Sequence, residues 1–279
     1  MKFGFVGSYG STDQILEMAV AAEEAGWDGF FTWDGISVGE VDTFDPWSML
    51  GALAVKTSNM TLGAMIFPLS RRRPWKVARE AITIDHLSHG RLVIPVGLGA
   101  AAHDGGFARV SGEVTDRKQR AELLDDTLAI LDRAWTGESF SYQGTHHRVD
   151  NLIFRPKPVQ QPRIPIWVVA MYPSPKSMNR AIEWDGILPT FKGAQPMEQM
   201  KPETVREVVA WIEQHRTSDR PFDLVLEGVT TGVPFEDNDQ LKPLADAGAT
   251  WWIESRWDTD RDTPEALLER IKLGPPRLT

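Results

Sequence analysis

The run GRLVIPVGLGAAAHDGG, residues 90–106, joins an apolar segment to glycines, a histidine and an aspartate. Imidazole and carboxylate groups are common proton carriers in catalysis, so His103 and Asp104 are candidate catalytic residues. The glycines Gly97 and Gly99 also begin a match to the G-x-G-x-x-A spacing of a dinucleotide-binding loop. The run could be such a phosphate-binding loop, the rim of another cofactor site, or a flexible turn.

The position of this run argues against a dinucleotide-binding loop. Such a loop lies at the first strand–helix turn, and its helix begins among the glycines. Here the run follows the fourth predicted strand, and we expect no helix to begin in HDGGFARVSGEV. Residues 98–115 form a long, glycine-rich, polar loop, which is typical of a lid or of a segment that covers a cofactor. Plain disorder is the competing interpretation.

Eight short apolar segments predict strands, and a helical pattern follows each of them. The predicted strands are Lys2–Val6, Gly29–Trp33, Met60–Phe67, Arg91–Val96, Pro165–Ala170, Gly186–Pro189, Phe222–Gly228 and Thr250–Glu254. The predicted helices are Asp13–Ala25, Pro46–Lys56, Trp75–Leu87, Asp116–Trp135, Lys176–Glu183, Pro202–Arg216, Asp239–Ala247 and Pro264–Lys272. Strands that are apolar on both faces indicate a parallel sheet covered by helices. We predict a (β/α)8 TIM barrel of the α/β class, with residues 1–279 as one domain; an open doubly wound sheet is the alternative.

One segment interrupts this alternation between the fourth helix and the fifth strand. Phe140–Val149 predicts a small hairpin, and Arg155–Pro165 contains four prolines, which predict a rigid connection. We interpret the two together as an insertion into the barrel rather than as a linker between domains.

The composition excludes several classes of function. The formal charge of −9 makes nucleic acid or an anionic membrane an unexpected partner, and the absence of cysteine excludes thiolate chemistry. His146 and His147 are adjacent on the predicted hairpin and point to opposite faces, so we predict no metal site. We find neither a membrane-spanning apolar stretch nor a signal-peptide pattern, and we expect a cytoplasmic protein.

The C-terminal ends of the strands are where a barrel enzyme has its active site. Asp34 follows the second strand and is a third candidate catalytic residue. The run 71–73, three arginines after the third strand, could bind a phosphate or carboxylate, or could form a solvated turn. Glu227 and Glu254 end the last two strands and could form a carboxylate pair, as in glycosidases. The alternative is that one or both bind Arg256 or a backbone donor.

Several blocks of the sequence resemble the luciferase-like monooxygenase superfamily. One block is DPWSMLGALAVKTSNMTLGAMIFPLSRRRPWKVAREAITIDHLSHGRLVIPVGLG. A second is DRKQRAELLDDTLAILDRAWTGESFSYQGTHHRV, which is followed by PKPVQQPRIPIWV and then by DGILPT. The resemblance covers roughly residues 1–190 in the order expected of that family.

The resemblance implies a barrel that binds reduced FMN or the deazaflavin F420 at its C-terminal end. The ring would lie across the ends of the third and fourth strands, with a non-prolyl cis peptide at Ala64–Met65. The phosphate would lie near the loops after the fourth and fifth strands, where backbone N–H groups receive anions. The implied cofactor-binding residues are Ala64, Met65, Gly97, Gly99, Ala170, Met171, Tyr172 and Ser174.

Three positions depart from the family's pattern. Gly35 replaces the histidine of an Asp-His pair that some F420-dependent members use for catalysis. Pro95 replaces the first glycine of G-x-G-x-G and lacks an N–H, so a ladder hydrogen bond is lost there unless the strand bulges. Residues 169–174, VAMYPS, replace a Gly-Gly pair beside the phosphate, where the hydroxyls of Tyr172 and Ser174 could bind it instead.

From these observations we expect an FMN-dependent monooxygenase that uses O2 on a small organic substrate and receives reduced FMN from a separate flavin reductase. An F420-dependent reductase or dehydrogenase, with His103 as a possible base, is the alternative. A third hypothesis is a barrel that has lost tight flavin binding and acts as a ligand-binding or non-redox protein. A homodimer is common in the family and compatible with the sequence.

Overall fold

The computed structural model describes residues 1–100, 105–191, 193 and 198–279. These residues form two compact units. The first comprises residues 1–32, 59–61 and 166–279, and the second comprises residues 33–58 and 62–165. His103 and Asp104 lie outside the described residues, so their catalytic roles stay predictions. No helix in the described part of the chain is long and apolar enough to cross a membrane.

Strands and helices alternate along the described chain. The strands are β1 Lys2–Val6, β2 Gly29–Thr32, β3 Thr61–Ala64, β4 Ile94–Val96, β5 Phe140–Gln143, β6 Arg148–Leu152, β7 Ile166–Tyr172, β8 Gly186–Phe191, β9 Asp223–Gly228 and β10 Trp251–Glu254. The helices are α1 Thr12–Ala25, α2 Pro46–Lys56, α3 Pro74–Leu87, α4 Gly105–Arg109, α5 Arg117–Ala134, α6 Pro175–Ile182, α7 Pro202–His215, α8 Pro234–Asp246 and α9 Pro264–Lys272. Every predicted strand and helix overlaps one of these elements.

Two helices differ from the prediction. Helix α8 begins at Pro234 rather than at Asp239, because proline fits the first helical position and Glu236 adds a favourable negative charge to the first turn. Helix α4 is a short helix in a segment where we expected none. Its Phe107 is 2% exposed, so tertiary packing stabilises a turn that the loop composition does not predict.

Local signals set the ends of the other helices. Ser11 caps α1 in a reciprocal capping box with Gln14, and Gly26 ends that helix with a φ of 88°. Asp45 caps α2 and Pro46 is its first residue, as the sequence predicts.

The first unit contains six parallel strands in the order β2-β1-β10-β9-β8-β7. On one face of this sheet, Phe31, Trp167 and Trp251 pack together with ring centroids 5.3–6.3 Å apart. We call this face the tryptophan face. The opposite face lies against helices: Glu254 of β10, for example, is 3.8 Å from Arg270 of α9. We call it the helix face.

In the second unit, β3 and β4 approach each other as parallel strands. Leu62 pairs with Leu92, and Phe67 pairs with Val96, so five steps along one strand stand opposite four along the other. The end of β3 therefore carries one extra residue. The missing N–H of Pro95 faces the place where β3 leaves the ladder, while its carbonyl accepts a hydrogen bond from Phe67 N–H at 2.8 Å. Proline fits here because the partner strand bulges.

The predicted hairpin is formed by β5 and β6, and Asp126 of α5 holds its turn. The Asp126 carboxylate accepts hydrogen bonds from the backbone N–H groups of Thr145, His146 and His147 at 2.7–3.1 Å. The Tyr142 hydroxyl donates to it at 2.9 Å. Burial raises the pKa of Asp126, but these hydrogen bonds outweigh burial and leave the pKa below its ordinary value.

We expect Asp126→Asn to lower the free energy of unfolding by about 1–3 kcal/mol, because the amide NH2 group cannot accept the backbone hydrogen bonds. Urea unfolding at neutral pH measures this loss. Since folding lowers the pKa of Asp126, its stabilisation is complete above the ordinary aspartate pKa of about 3.9 and is lost as the pH falls through the folded-state value. The difference between wild type and variant therefore shrinks in acid.

The matched control is Asp150→Asn on the same hairpin, where the carboxylate is 76% exposed. We expect the control to unfold like wild type. Equal stability of the two variants at neutral pH would show that the Asp126 contacts do not hold the hairpin.

Candidate active site

In the second unit, two guanidinium groups hold the carboxylate of Asp34 directly after β2. Arg71 donates from Nη2 to Oδ1 at 2.6 Å, and Arg72 donates from Nε and Nη2 at 2.9–3.0 Å. The side chains of Asp34 and Arg71 are 1% and 3% exposed. Both carboxylate oxygens are engaged in charge-assisted hydrogen bonds to these guanidinium groups. The catalytic role of Asp34 stays a prediction, and its contacts favour a positioning role.

Phe107 of α4 lies between two arginines of the same unit. The guanidinium groups of Arg71 and Arg120 are 5.2 and 5.1 Å from its ring centroid. Arg120 also donates to the carbonyls of Leu98 and Gly99 at 2.5 and 3.2 Å, and burial lowers its pKa. Gly99 has a φ of 76°, and a Cβ there would lie 2.8 Å from the ring of Phe107. The positive φ and the close approach of Phe107 each account for a glycine at this position.

The end of β3 differs from the expected geometry by one residue. The non-prolyl cis peptide lies at Met65–Ile66, not at Ala64–Met65. The extra residue at the end of β3 accounts for this correction, because it moves the departure from the ladder one position along the chain. Ala64 and Met65 are 0% and 8% exposed, and the N–H of Gly97 donates to the carbonyl of Phe67 at 3.2 Å. Their roles in cofactor binding stay predictions.

In the first unit, the candidates on β7 do not share one surface. The alternation of side chains places Met171 on the tryptophan face and its neighbours Ala170 and Tyr172 on the helix face. Ala170 is fully buried, and the Tyr172 hydroxyl bonds to Glu207 of α7. Ser174 is the N-cap of α6, yet its side chain makes no capping hydrogen bond. The backbone N–H groups of that first turn therefore donate no hydrogen bond to the Ser174 hydroxyl.

Glu227 and Glu254 do not form the carboxylate pair that could occur at neighbouring strand ends. In the register of β9 and β10, Glu227 stands beside Ile253, and Glu254 stands beside Gly228. The two glutamates therefore point to opposite faces of the sheet, because side chains alternate along a strand.

Glu254 lies on the helix face, where its carboxylate is fully buried. It accepts hydrogen bonds from the hydroxyl and N–H of Thr230 at 2.7–3.1 Å and from Arg256 Nε at 2.9 Å. The alternative, in which Glu254 pairs with Arg256, is confirmed. This glutamate stabilises the fold.

Two further residues are candidates for the site: Glu227, which the sequence suggested only as half of a carboxylate pair, and Arg120, which the sequence did not single out. Glu227 is an acidic residue within the apolar segment LVLEG and lies on the tryptophan face. Arg120 occupies the buried stripe of α5 that continues through Leu124 and Leu131. In both cases the sequence shows a charged residue at a position where the strand or helix pattern predicts an apolar side chain, and this is the feature that could have identified them. No group of three or more potential metal ligands occurs within the described residues.

Asp34→Asn tests the positioning role of the carboxylate. We expect the substitution to lower the free energy of unfolding by about 3–5 kcal/mol, because it leaves the buried Arg71 and the partly buried Arg72 without their anion. Urea unfolding measures the change.

Asp45→Asn is the matched control, because the Asp45 carboxylate is 49% exposed, lies 3.7 Å from Arg72, and asparagine also caps helices well. We expect a loss of less than about 1 kcal/mol in this control. If Asp34→Asn also lost less than about 1 kcal/mol in its free energy of unfolding, the positioning role would be contradicted.

Comparison with known proteins places these elements in a family. The model of the family described as luciferase-like monooxygenase matches residues 2–231. A protein from Microbacterium testaceum (strain StLB037), an F420-dependent glucose-6-phosphate dehydrogenase, is 29% identical over 62% of this chain, but the match spans only 52% of that relative. A protein of the same name from Amycolatopsis mediterranei (strain U-32) is 26% identical over 96% of this chain and 88% of its own length.

A solved structure shows the fold that this sequence adopts. The structure of an F420-dependent secondary alcohol dehydrogenase, in complex with an F420–acetone adduct, superposes with a TM-score of 0.77 at 15% identity. The superposition covers 98% of this chain and 96% of that chain. The predicted fold class, an α/β (β/α)8 barrel with a hairpin insertion, is confirmed. With a family model that matches most of its length, the chain belongs to the luciferase-like monooxygenase family.

Proposed function

We propose that this protein is an F420-dependent oxidoreductase that moves a hydride between the deazaflavin and a small organic substrate. The coarser statement, a luciferase-like oxidoreductase, follows from the family. The finer proposal reverses the order expected from the sequence, in which an FMN-dependent monooxygenase came first.

One observation carries this preference for F420. The relatives that align with this chain over 62% and 96% of its length are both F420-dependent dehydrogenases by name. The partial coverage of the Microbacterium relative limits what that match supports, whereas the Amycolatopsis relative aligns over most of both chains.

The first turn of α6 suits the anionic part of such a cofactor. Ser174 leaves the N-terminus of α6 without a side-chain cap, so the N–H groups of Lys176 and Ser177 can donate to a phosphate. In this proposal they hold the cofactor's phosphate, and Met171 of the same unit contacts its ring system. When bound, F420 supplies a two-electron hydride donor or acceptor.

Gly35, the residue after Asp34, argues against glucose 6-phosphate as the substrate, because it replaces the histidine that some F420-dependent members use for catalysis. A Cβ at Gly35 would lie 2.8 Å from the ring of Trp33 and 3.1 Å from Val38. The backbone therefore has no room for an imidazole here unless Trp33 moves. We leave the sugar phosphate out of the proposal and retain an unspecified small organic substrate.

Tryptophan fluorescence quenching tests the choice of cofactor, because the chain contains 11 tryptophans. The protein is titrated with F420, FMN and, without oxygen, reduced FMN. We expect F420 to bind at least tenfold more tightly than either form of FMN, a difference of about 1.4 kcal/mol. Riboflavin, which lacks the phosphate of FMN, is the matched control for the α6 site, and we expect it to bind more weakly than FMN.

Each other outcome selects a different hypothesis. Preference for reduced FMN would restore the monooxygenase supplied by a separate reductase. Absence of binding by all of these cofactors would leave a ligand-binding or non-redox barrel.

A further inference from the structure

Glu227 occupies the C-terminal end of β9 on the tryptophan face. The side chains of Asp223, Val225 and Glu227 alternate onto this face, and the ladder places Val225 beside Trp251 and Glu227 beside Ile253. The apolar and aromatic part of the face therefore ends in a carboxyl group. This end of the strands is where barrel enzymes have their reacting groups.

The contacts of Glu227 differ in kind from those of Glu254 on the neighbouring strand. The Ser255 hydroxyl donates to Oε2 of Glu227 at 3.2 Å, and no cation pairs with this carboxyl in the described part of the chain. Glu254, by contrast, lies against Arg256 and Arg270. A carboxyl that is neither neutralised nor fully hydrogen-bonded is able to exchange a proton with a ligand.

Solvent reaches the side chain of Glu227, yet burial raises its pKa, and the hydrogen bond from Ser255 lowers the pKa by less. A carboxyl group with a raised pKa that solvent can still reach is a candidate for proton transfer. Within the described residues, neither neighbouring strand brings a charge to it on this face. On this face β10 contributes Ile253 and Ser255, and β8 contributes Leu188 and Thr190.

The other acid on this face of β9 is already engaged. Asp223, at the opposite end of the strand, accepts hydrogen bonds from Trp167 Nε1 at 3.2 Å and from the Thr250 hydroxyl at 2.9 Å. It lies at the N-terminal end, away from the strand ends that form barrel sites. Glu227 is therefore the acid of β9 that remains available for chemistry.

Two aromatic residues follow β1 and β10, and of these two strands β10 is the neighbour of β9. The Tyr9 hydroxyl, after β1, donates to the carbonyl of Trp257, after β10, at 2.8 Å. The two rings meet edge to face with centroids 6.1 Å apart. On the tryptophan face itself, Ile253 stands beside Glu227 and Trp251 beside Val225. This apolar surface next to a carboxyl group suits a ligand with an apolar body and one protic group.

We propose that Glu227 is the catalytic acid–base of this site and that its substrate is an alcohol in one direction and the matching carbonyl compound in the other. In oxidation the Glu227 carboxylate would take the hydroxyl proton. F420, when bound, would accept the hydride from the carbon that carries this hydroxyl, so that a C=O bond remains. In reduction Glu227 returns the proton to the oxygen while the carbon gains the hydride. This proposal rests on the proposed function, and Ser255 acts in it as a positioning residue.

The first test follows the carboxyl group itself. Infrared difference spectra of wild type minus Glu227→Gln isolate the C=O stretch of Glu227, which is titrated with pH and then with 2-propanol and acetone in the F420-loaded protein. We expect the carboxyl to titrate above the ordinary glutamate range and its band to shift when either ligand binds. A band that titrates normally and ignores both ligands would overturn the proposal, even if wild type turned neither compound over.

The second test follows turnover with the same two compounds. We expect Glu227→Gln to lower kcat at least about 100-fold while the Kd for F420 stays within about twofold, and Glu227→Asp to recover part of the rate. Alcohol oxidation in wild type rises with pH as Glu227 loses its proton, and acetone reduction falls. The glutamine variant loses both dependences. Glu236→Gln, an exposed glutamate at the start of α8, is the control and keeps wild-type rates.

The outcomes separate this proposal from the proposed function. Loss of turnover with F420 binding retained supports Glu227. Failure of wild type to bind F420 removes the proposed function, and the infrared response to acetone and 2-propanol without cofactor then decides the role of Glu227. Wild-type kinetics in Glu227→Gln would overturn the proposal.

Discussion

The alternation of side chains along each strand decides what this protein can do. Two acidic residues end neighbouring strands, β9 and β10, and the parallel register turns them to opposite faces. On the helix face, the Glu254 carboxylate pairs with Arg256 and Arg270 and stabilises the fold. On the tryptophan face, Glu227 accepts a hydrogen bond from the Ser255 hydroxyl and pairs with no cation among the described residues, which is the basis of its proposed role in proton transfer. A shift of one residue in this register would place both glutamates on the same face.

A buried ion cluster has a comparable organising effect in the second unit. Asp34 binds Arg71 and Arg72, and the guanidinium group of Arg71 lies over the ring of Phe107. Arg120 also lies over this ring, and it donates hydrogen bonds to the carbonyls of Leu98 and Gly99. Gly99, which belongs to the run that first suggested a phosphate site, thus packs against this ring. Charged residues in this unit position the backbone, whereas the proposed chemistry of the first unit depends on a charge left unpaired.

The sequence predicted the elements well, because apolar segments, proline starts and caps such as Asp45 act locally. It did not predict α4, since the burial of Phe107 depends on arginines distant in the chain. The cis bond was placed one residue early because only the ladder shows the extra residue in β3. The faces of the two glutamates were also hidden, since strands buried on both sides show no apolar–polar alternation.

Hydride transfer is the central claim, and isotope transfer tests it most directly. The protein is incubated with F420 and 2-propanol deuterated at the central carbon, under oxygen-18 gas, and the cofactor and product are analysed by mass spectrometry. We predict one deuterium in the reduced cofactor and no oxygen-18 in the acetone that forms. Two results together would contradict this claim: F420 that carries no deuterium after the incubation, and a product labelled with oxygen-18 when reduced FMN replaces F420.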